Sequence, residues 1–422
     1  MPEAKESPDA KSPSLSGRVH VLGLGNIGSF VAHALASRSS PPPITLLMHH
    51  GGMYRSFCRK KKSIAINHKG LDDSRSGFDV QVFSNDVWRS EPFEEINNDT
   101  DTDTMATYTS SETEELGAQS NANDEHIECL IIACKTGMTQ RAISKVRHRL
   151  TADSTIVLLQ NGMGVVDRLN ETVFSDPKHR PNYVQGVISH GLSMLDKFQV
   201  AHRGVGSIIL APVVTNQTPT IAANEDTHWA PTTKYILRLL TLTPSLIATT
   251  DTPAGLLQYQ LEKLAVNCLI NPLTALYDCT NGELLYIFKV TRTMRLLLFE
   301  ISSVIYALPE LQGVPGIEDR FAPERLLRLT MNVAKNTSEN TSSMLHDVKS
   351  GGVTEIDHMN GWVVRRGEGL GIKCTLNYMI CQMVLSKTKI RHRRDNSSIP
   401  FDQDDIHLAE DFADQITAKK ES

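Results

Sequence analysis

No stretch of about 18 consecutive apolar residues occurs in the chain, so the sequence predicts no helix that crosses a bilayer. Charge of one sign is also missing. A formal net charge of -5 over 422 residues creates no basic field, which argues against nucleic acid or an anionic membrane as the main partner and favours a small-molecule ligand. Cysteine is sparse: the seven are odd in number, form no Cys-x-x-Cys pair and lie mostly among apolar neighbours. That pattern excludes a disulfide framework and a structural zinc, and it points to a reducing compartment. The N-terminal segment, MPEAKESPDAKSPSLSG, has neither an apolar signal core nor the Arg-rich, acid-poor character of a presequence. The expected location is the cytoplasm, with a mitochondrial one left open. No internal repeat and no nucleophile-elbow pattern is present, and His190, His202, His346 and His358 lack the spacing of a metal site.

Hydrophobic residues make up 40% of the chain, enough for two or three cores. The segment RVHVLGLGNIGSFVAHALA changes from strand to helix character at its glycines. Three further apolar strands follow in ITLLM, CLIIACK and STIVLLQNGMG, runs that suit a parallel sheet covered on both faces. Residues 94–125 interrupt them with an acidic, Ser/Thr-rich stretch that cannot repay the entropy of ordering and is expected to be disordered. YVQGVISHGLSMLDKFQVAHRGVGSIILAPV reads as strands with glycine turns, and from Pro253 the pattern turns helical. The expected organisation is a disordered start (1–16), an α/β Rossmann-type dinucleotide-binding domain (17–252), an all-α domain (253–388) and a polar tail (389–422). Met344, Trp362 and Met379 read as core.

GLGNIG, covering Gly23, Leu24, Gly25, Asn26, Ile27 and Gly28, is a G-x-G-x-x-G after a strand and at a helix start. The first glycine permits the tight turn, the second lets backbone approach a pyrophosphate, and the third allows close helix packing. Where a second strand would end in Asp or Glu to hold a ribose 2'-hydroxyl, the chain reads LLMHHGGMYRSFCRKKK. With no carboxylate there and His49, His50, Arg55 and Arg59 nearby, a 2'-phosphate fits better, so NADPH is the expected cofactor. The run Arg59 to Lys62 also reads as a solvated basic loop or a nuclear targeting run.

KLAVNCLINPLTAL spaces Lys263, Asn267 and Asn271 four residues apart, one polar stripe along a helix that is otherwise apolar. Lys263 could be a snorkelling side chain that covers apolar surface with its stem. The two asparagines, poor helix formers, then need a neighbouring helix or the end of the helix near Pro272 to explain them. Glu355 reads as an acid in a first helical turn with Thr354 as cap, Ser343 as a capping or exposed serine, and Asn161 as part of a glycine-rich turn.

Taken in order, GLGNIG, CKTGMT, LLQNGMG, HRGVGS, KLAVNCLINPLTAL with NGEL, and TSSMLHDVKSGGVTEIDHMNGWVVRRGEGLG resemble the ketopantoate reductases (2-dehydropantoate 2-reductases) over roughly residues 18–385. The resemblance implies a Rossmann domain followed by a helical domain like the C-terminal part of 6-phosphogluconate dehydrogenase. It also implies NADPH-dependent reduction of 2-dehydropantoate to pantoate, on the way to pantothenate and coenzyme A. Carried over by position, Lys263 is the catalytic lysine and general acid, and Glu355 lies beside the reacting hydroxyl. Asn267, Asn271 and Ser343 bind substrate, while Lys135 and Asn161 lie at the nicotinamide end of the cofactor. Many members carry an arginine before Thr-Glu-Ile-Asp, whereas this chain has SGGV at 350–353. The resemblance leaves room for a relative acting on another 2-keto acid, and for a non-catalytic protein that senses NADPH and signals through its insertion or tail. A homodimer is compatible with it, and the insertion or tail is a candidate for binding an unidentified protein.

Overall fold

All four residues of the first strand, Val19–Leu22 (β1), are buried, as a strand covered on both faces requires. The computed structural model describes residues 15–91, 124–213 and 229–395. The N-terminal segment up to residue 14, nearly all of the acidic stretch and the tail beyond residue 395 lie outside the described residues. The chain folds into two compact units, the first spanning Met1–Leu264 with Leu308–Pro315 and the second Ala265–Ala307 with Gly316–Ser422.

In the first unit, β1 leads into α1 (Asn26–Ala36), β2 (Ile44–Met48), α2 (Gly51–Arg59) and four strands, β3 (Ile64–His68), β4 (Leu71–Arg75), β5 (Asp79–Ser84) and β6 (Val87–Ser90). Next come β7 (Cys129–Ile132), α3 (Thr139–Ser144), β8 (Thr155–Leu158) and α4 (Val165–Thr172). The unit continues with β9 (Asn182–Ile188), β10 (Gly191–Asp196), β11 (Gln199–Gly204), β12 (Ile208–Pro212), α5 (Pro231–Thr241) and β13 (Ala248–Thr250). A nine-stranded sheet has the order β13-β12-β9-β8-β7-β1-β2-β5-β6. From β9 to β5 every neighbouring pair is parallel, and β6 and β12 join antiparallel.

Alternation along the parallel strands feeds two cores. Val19, Val21, Cys129, Ile131 and Val157 face one cluster, and Leu22, Leu130, Ile132, Ile156 and Leu158 face the other. On the first face, α1 buries Phe30, Val31 and Leu35 between this sheet and a small second sheet, β10-β11-β3-β4, which contributes Ile64, Ile66 and Val200. The second sheet is not evident in the sequence as a whole, although IAIN followed by HKG shows the alternation and glycine turn of a short hairpin.

The long helix α6 (Pro253–Tyr277) begins where the sequence pattern changes. The second unit adds α7 (Phe288–Tyr306), α8 (Ile317–Arg320), α9 (Pro323–Asn336), α10 (Ser343–Lys349), α11 (Asn360–Gly369) and α12 (Thr375–Asp395). Because α12 runs to Asp395, residues 389–395 are helical rather than part of a loose tail; basic residues in its last turn complement the helix dipole. Met344 is buried, but Met379 is 49% exposed and Trp362 only partly covered, so the apolar positions of α12 do not all turn inward.

Candidate active site

The glycine turn between β1 and α1 is shaped by sterics. Gly23 has φ +98°, and a Cβ there would lie 2.3 Å from the backbone nitrogen of Cys134, just beyond β7. At Gly28 a Cβ would come 1.8 Å from the Gly23 carbonyl oxygen. Gly25 differs: it is exposed, has φ -77°, and its Cβ would meet nothing within 4 Å. Two glycines therefore serve the turn itself, and the third leaves open space at the N-terminus of α1, where backbone N–H groups and the helix dipole favour an anion. That opening fits a dinucleotide pyrophosphate. Within the turn Leu24 is buried, Asn26 and Ile27 are half-buried, and Asn26 Nδ2 donates to the Leu192 carbonyl over 3.4 Å. The turn also sits where the sheet order reverses, β2 lying on one side of β1 and β7 on the other, the position at which open α/β sheets bind ligands.

The loops after β7 and β8 are laced to each other. Thr136 Oγ1 donates to the Asn161 carbonyl, and Gln160 Nε2 donates to Thr139 Oγ1 over 2.6 Å. Lys135, which is exposed, and Asn161, which is half-buried, thus emerge at the same end of the sheet. Gly162 and Gly164 have φ of +87° and +81°, so the turn carrying Asn161 needs glycine at both places.

The cations after β2 are partly spent on structure. His50 caps α2, its Nδ1 accepting from Met53 N over 3.0 Å. Lys60 pairs with Asp196 at 2.5 Å and Lys62 with Glu91 at 2.9 Å. His49 is held neutral, its pKa pushed down to about 4 by desolvation of the ring and by the positive charges of His50, Lys145 and Arg141. Lys145 and Arg141 are the smaller contributions, but they come from a different element. They belong to α3 and the residue after it, far from His49 in sequence, and they line an open cleft of about 540 Å3 with Phe83, Gln140, Ser144, His148 and the carboxylate of Asp86. Lys145 Nζ stands 3.9 Å from the Phe83 ring centroid, a cation–π contact. Sequence proximity points to the basic loop; the fold adds the α3 pair from elsewhere.

Lys263, Asn267 and Asn271 follow one another at one-turn spacing along α6. In the first unit Lys263 is half-buried and its Nζ donates to the Ile188 carbonyl over 2.7 Å. In the second, Asn267 is half-buried and Asn271 is buried, its Nδ2 reaching Met359 Sδ at 3.6 Å, a weak acceptor for an amide. Thr274 continues the stripe, and its Oγ1 donates to Ser342 Oγ over 2.7 Å. Ser342 is the cap of α10, accepting from Leu345 N at 3.1 Å, which leaves the neighbouring Ser343 as an exposed first helical residue. Glu355, half-buried, stands immediately before the single turn Ile356–His358 that leads to Met359. Asn271 against Met359 and Thr274 against Ser342 thus bring the segments of Glu355 and Ser343 to the same helix.

Two groups that the sequence motifs do not mark support this arrangement. Pro272 has no N–H, so the Cys268 carbonyl four residues earlier lacks its helical donor; Asn360 Nδ2 supplies one over 3.0 Å. The same Nδ2 donates to Asn377 Oδ1 at 2.9 Å, and both asparagines are fully buried. A proline inside an apolar helical run is the signal that could prompt a search for such a donor. The second group is His190, whose ring is buried two residues beyond Ile188. Among the described residues no group of His, Cys, Asp and Glu could hold a metal ion.

A doubly wound sheet with an anion-ready glycine turn at its switch point, followed by a helical unit, has the architecture of a two-part dinucleotide-binding protein. Residues 19–214 match the family described as ketopantoate reductase PanE/ApbA, and residues 256–388 match its C-terminal counterpart. The chain belongs to the ketopantoate reductase family. It is 28% identical over 379 residues to a probable 2-dehydropantoate 2-reductase of Schizosaccharomyces pombe, covering 89% of this chain and 97% of the relative. It is 31% identical over 264 residues to the 2-dehydropantoate 2-reductase of Yersinia pestis, covering 62% and 74%. A ketoisovalerate reductase of Beauveria bassiana is 24% identical over 392 residues, covering 84% and 79%. Among solved structures, D-mandelate dehydrogenase with NADH and anilino(oxo)acetate superposes with a TM-score of 0.64 at 15% identity, covering 89% of this chain and 99% of that one. A dimeric ketopantoate reductase from Staphylococcus aureus gives 0.58 at 15%, with the same coverage.

Proposed function

We propose that the protein reduces 2-dehydropantoate to pantoate with NADPH, Lys263 acting as general acid. The observation that carries the reading is the polar stripe of α6, Lys263, Asn267 and Asn271, set among the buried Leu264, Ala265, Leu269 and Ile270. The relatives named for this substrate support it.

When bound, NADPH supplies a hydride to the keto carbon. Negative charge then develops on the carbonyl oxygen, and an ammonium group both stabilises that charge and can donate the proton that ends it. Lys263 supplies the ammonium. Its hydrogen bond to the Ile188 carbonyl fixes where the amine sits. Glu355 accepts from the hydroxyl of the substrate. Asn267, Asn271 and Ser343 give neutral donors to the keto acid without adding another titrating group. Lys135 and Asn161, on loops tied by Thr136, hold the nicotinamide end. A homodimer is part of this reading, in keeping with the dimeric relative from Staphylococcus aureus.

The preference for NADPH over NADH rests on the missing carboxylate at the end of β2 and on Arg141 and Lys145, whose charges are felt at His49. Both cations can meet a phosphate that NADH lacks.

A second reading keeps the chemistry and changes the acid: the ketoisovalerate reductase covers more of this chain than the bacterial 2-dehydropantoate reductase does. Initial rates of NADPH oxidation with 2-dehydropantoate and with 2-ketoisovalerate decide between them. A kcat/KM at least about tenfold higher for 2-dehydropantoate, a difference of about 1.4 kcal/mol in transition-state binding, supports the first reading. The reverse ratio supports the second.

A further inference from the structure

The carbonyl that Lys263 touches belongs to Ile188, the last residue of β9. Two residues on, the His190 ring is 8% exposed and makes three polar contacts with three different segments. Its Nε2 lies 2.9 Å from the Leu246 carbonyl oxygen, which fixes the hydrogen on that nitrogen and makes it the donor. Nδ1 must then be an acceptor. Its one lone pair is shared by two donors, Gly206 N over 3.1 Å and His202 Nε2, also over 3.1 Å. The ring is clamped sideways by Phe30 of α1, with centroids 4.9 Å apart, and by His202, at 5.1 Å.

The segments joined there would not hold their shape unaided. Ile247, next to Leu246, has φ +45°, a left-handed conformation that a β-branched residue adopts at a cost of about 1–3 kcal/mol. Its carbonyl accepts from Ile208 N over 3.3 Å, and the Leu246 carbonyl is held by His190. Gly206 passes so close to β9 that a Cβ would lie 2.4 Å from the Ser189 carbonyl carbon. Ser189 N donates to Ser207 O over 2.9 Å and Ser207 N donates back to Ser189 Oγ over 2.8 Å, so the peptide groups on both sides of Ser189 move with this cluster. The Ile188 carbonyl is part of that rigid unit.

We propose that His190 is a positioning residue for Lys263: by tethering Leu246, Gly206 and His202 at once, it fixes the end of β9 and with it the Ile188 carbonyl that holds the lysine ammonium. The inference rests on the reading of Lys263 as the general acid. A shift of the carbonyl by a fraction of an ångström would leave cofactor binding intact and misplace the proton donor, an effect that falls on kcat.

Two variants and a control test it, each assayed for NADPH binding by fluorescence, for kcat and KM with 2-dehydropantoate, and for Tm. His190→Phe keeps the ring packing and loses all three hydrogen bonds. The expected result is a kcat lower by about 10- to 100-fold, the size of effect that small misplacement of a reacting group produces, with the NADPH Kd within about twofold of wild type. His190→Asn keeps an acceptor for Gly206 N and loses the tether to Leu246; its kcat should fall between the two, by about 3- to 10-fold. Should the Phe variant not fold, the Asn variant decides on the same comparison of kcat with Kd. Lys263→Ala is the control. An inactive control beside an unchanged kcat in the His190 variants overturns the positioning role and leaves the lysine reading standing. Losses in kcat, Kd and Tm together would mean general damage and also overturn it. A fully active Lys263→Ala would remove the lysine reading, and the positioning role with it.

Discussion

Lys263 donates from Nζ to the Ile188 carbonyl oxygen over 2.7 Å, so the amine at the head of the α6 stripe is tied to the end of β9 and is not a loose surface side chain. A snorkelling lysine would cover apolar surface with its stem and leave its charge in water. This one directs a proton at a fixed backbone acceptor.

The glycine turn should separate into two classes on substitution. Gly25→Ala adds a methyl where nothing stands within 4 Å, so its Tm should stay within a degree or two of wild type while the KM for NADPH rises at least about tenfold, because the methyl enters the space a pyrophosphate needs. Gly28→Ala drives a methyl to 1.8 Å from the Gly23 carbonyl oxygen and should cost about 1–3 kcal/mol in urea denaturation, as overpacking does. Equal stability loss in both would remove the argument for open space at Gly25.

Cofactor preference should depend on α3. Arg141→Ala combined with Lys145→Ala should raise the KM for NADPH by about 10- to 100-fold, the worth of one or two charge-assisted hydrogen bonds, and leave the KM for NADH nearly unchanged. If both cofactors weaken alike, the 2'-phosphate is held elsewhere, with Arg55 or Arg59 next in line.

Much of this is legible in sequence because the responsible physics is local. GLGNIG declares a strand, a turn and a helix through its glycines, and the uninterrupted apolar runs declare parallel strands. The four-residue spacing of Lys263, Asn267 and Asn271 declares a face of a helix. What stays hidden depends on partners distant in sequence. Arg141 and Lys145 act on His49 electrostatically only once the sheet has placed β2 and β7 around β1. His190 looks like a turn histidine in sequence, yet its three bonds reach Gly206, His202 and Leu246. A capping or an exposed place suits Ser343 equally from sequence; the structure gives the cap to Ser342, and spacing alone does not separate adjacent serines. The helical run at the end of the chain extends further than its pattern suggests because α12 mixes exposed apolar and charged residues with no distinct face, which erases the periodicity that identifies a helix.

Asn360 and Pro272 should be energetically coupled. Asn360→Leu leaves the Cys268 carbonyl buried without a donor and should cost about 1–3 kcal/mol. Pro272→Ala restores a backbone N–H at the position that can bond that carbonyl, so the double variant should lose less than Asn360→Leu alone. Strict additivity in urea midpoints would show that the two residues do not share the carbonyl.

Acid should destabilise the first unit through His20. Its pKa is pushed down to about 3 by burial and by the positive charges of Arg149 and Arg18, while an unfolded histidine titrates near 6.5. Above about pH 6.5 neither state binds the proton and the full stability is present. Below it the unfolded chain binds the proton first, and stability falls until the pH reaches the folded value. Between pH 7.5 and 5 this one group should remove about 2 kcal/mol, and His20→Leu should flatten that part of the stability profile. An identical slope in the variant would assign the acid sensitivity to other groups.

The most direct test of the central claim is the rate of NADPH oxidation with 2-dehydropantoate by the wild-type protein and by Lys263→Ala, with NADPH binding measured on both. The expected result is turnover by the wild type and a kcat at least about 100-fold lower in the variant, as loss of a general acid produces, with NADPH bound equally well. Wild-type turnover that survives loss of the Lys263 amine would contradict it.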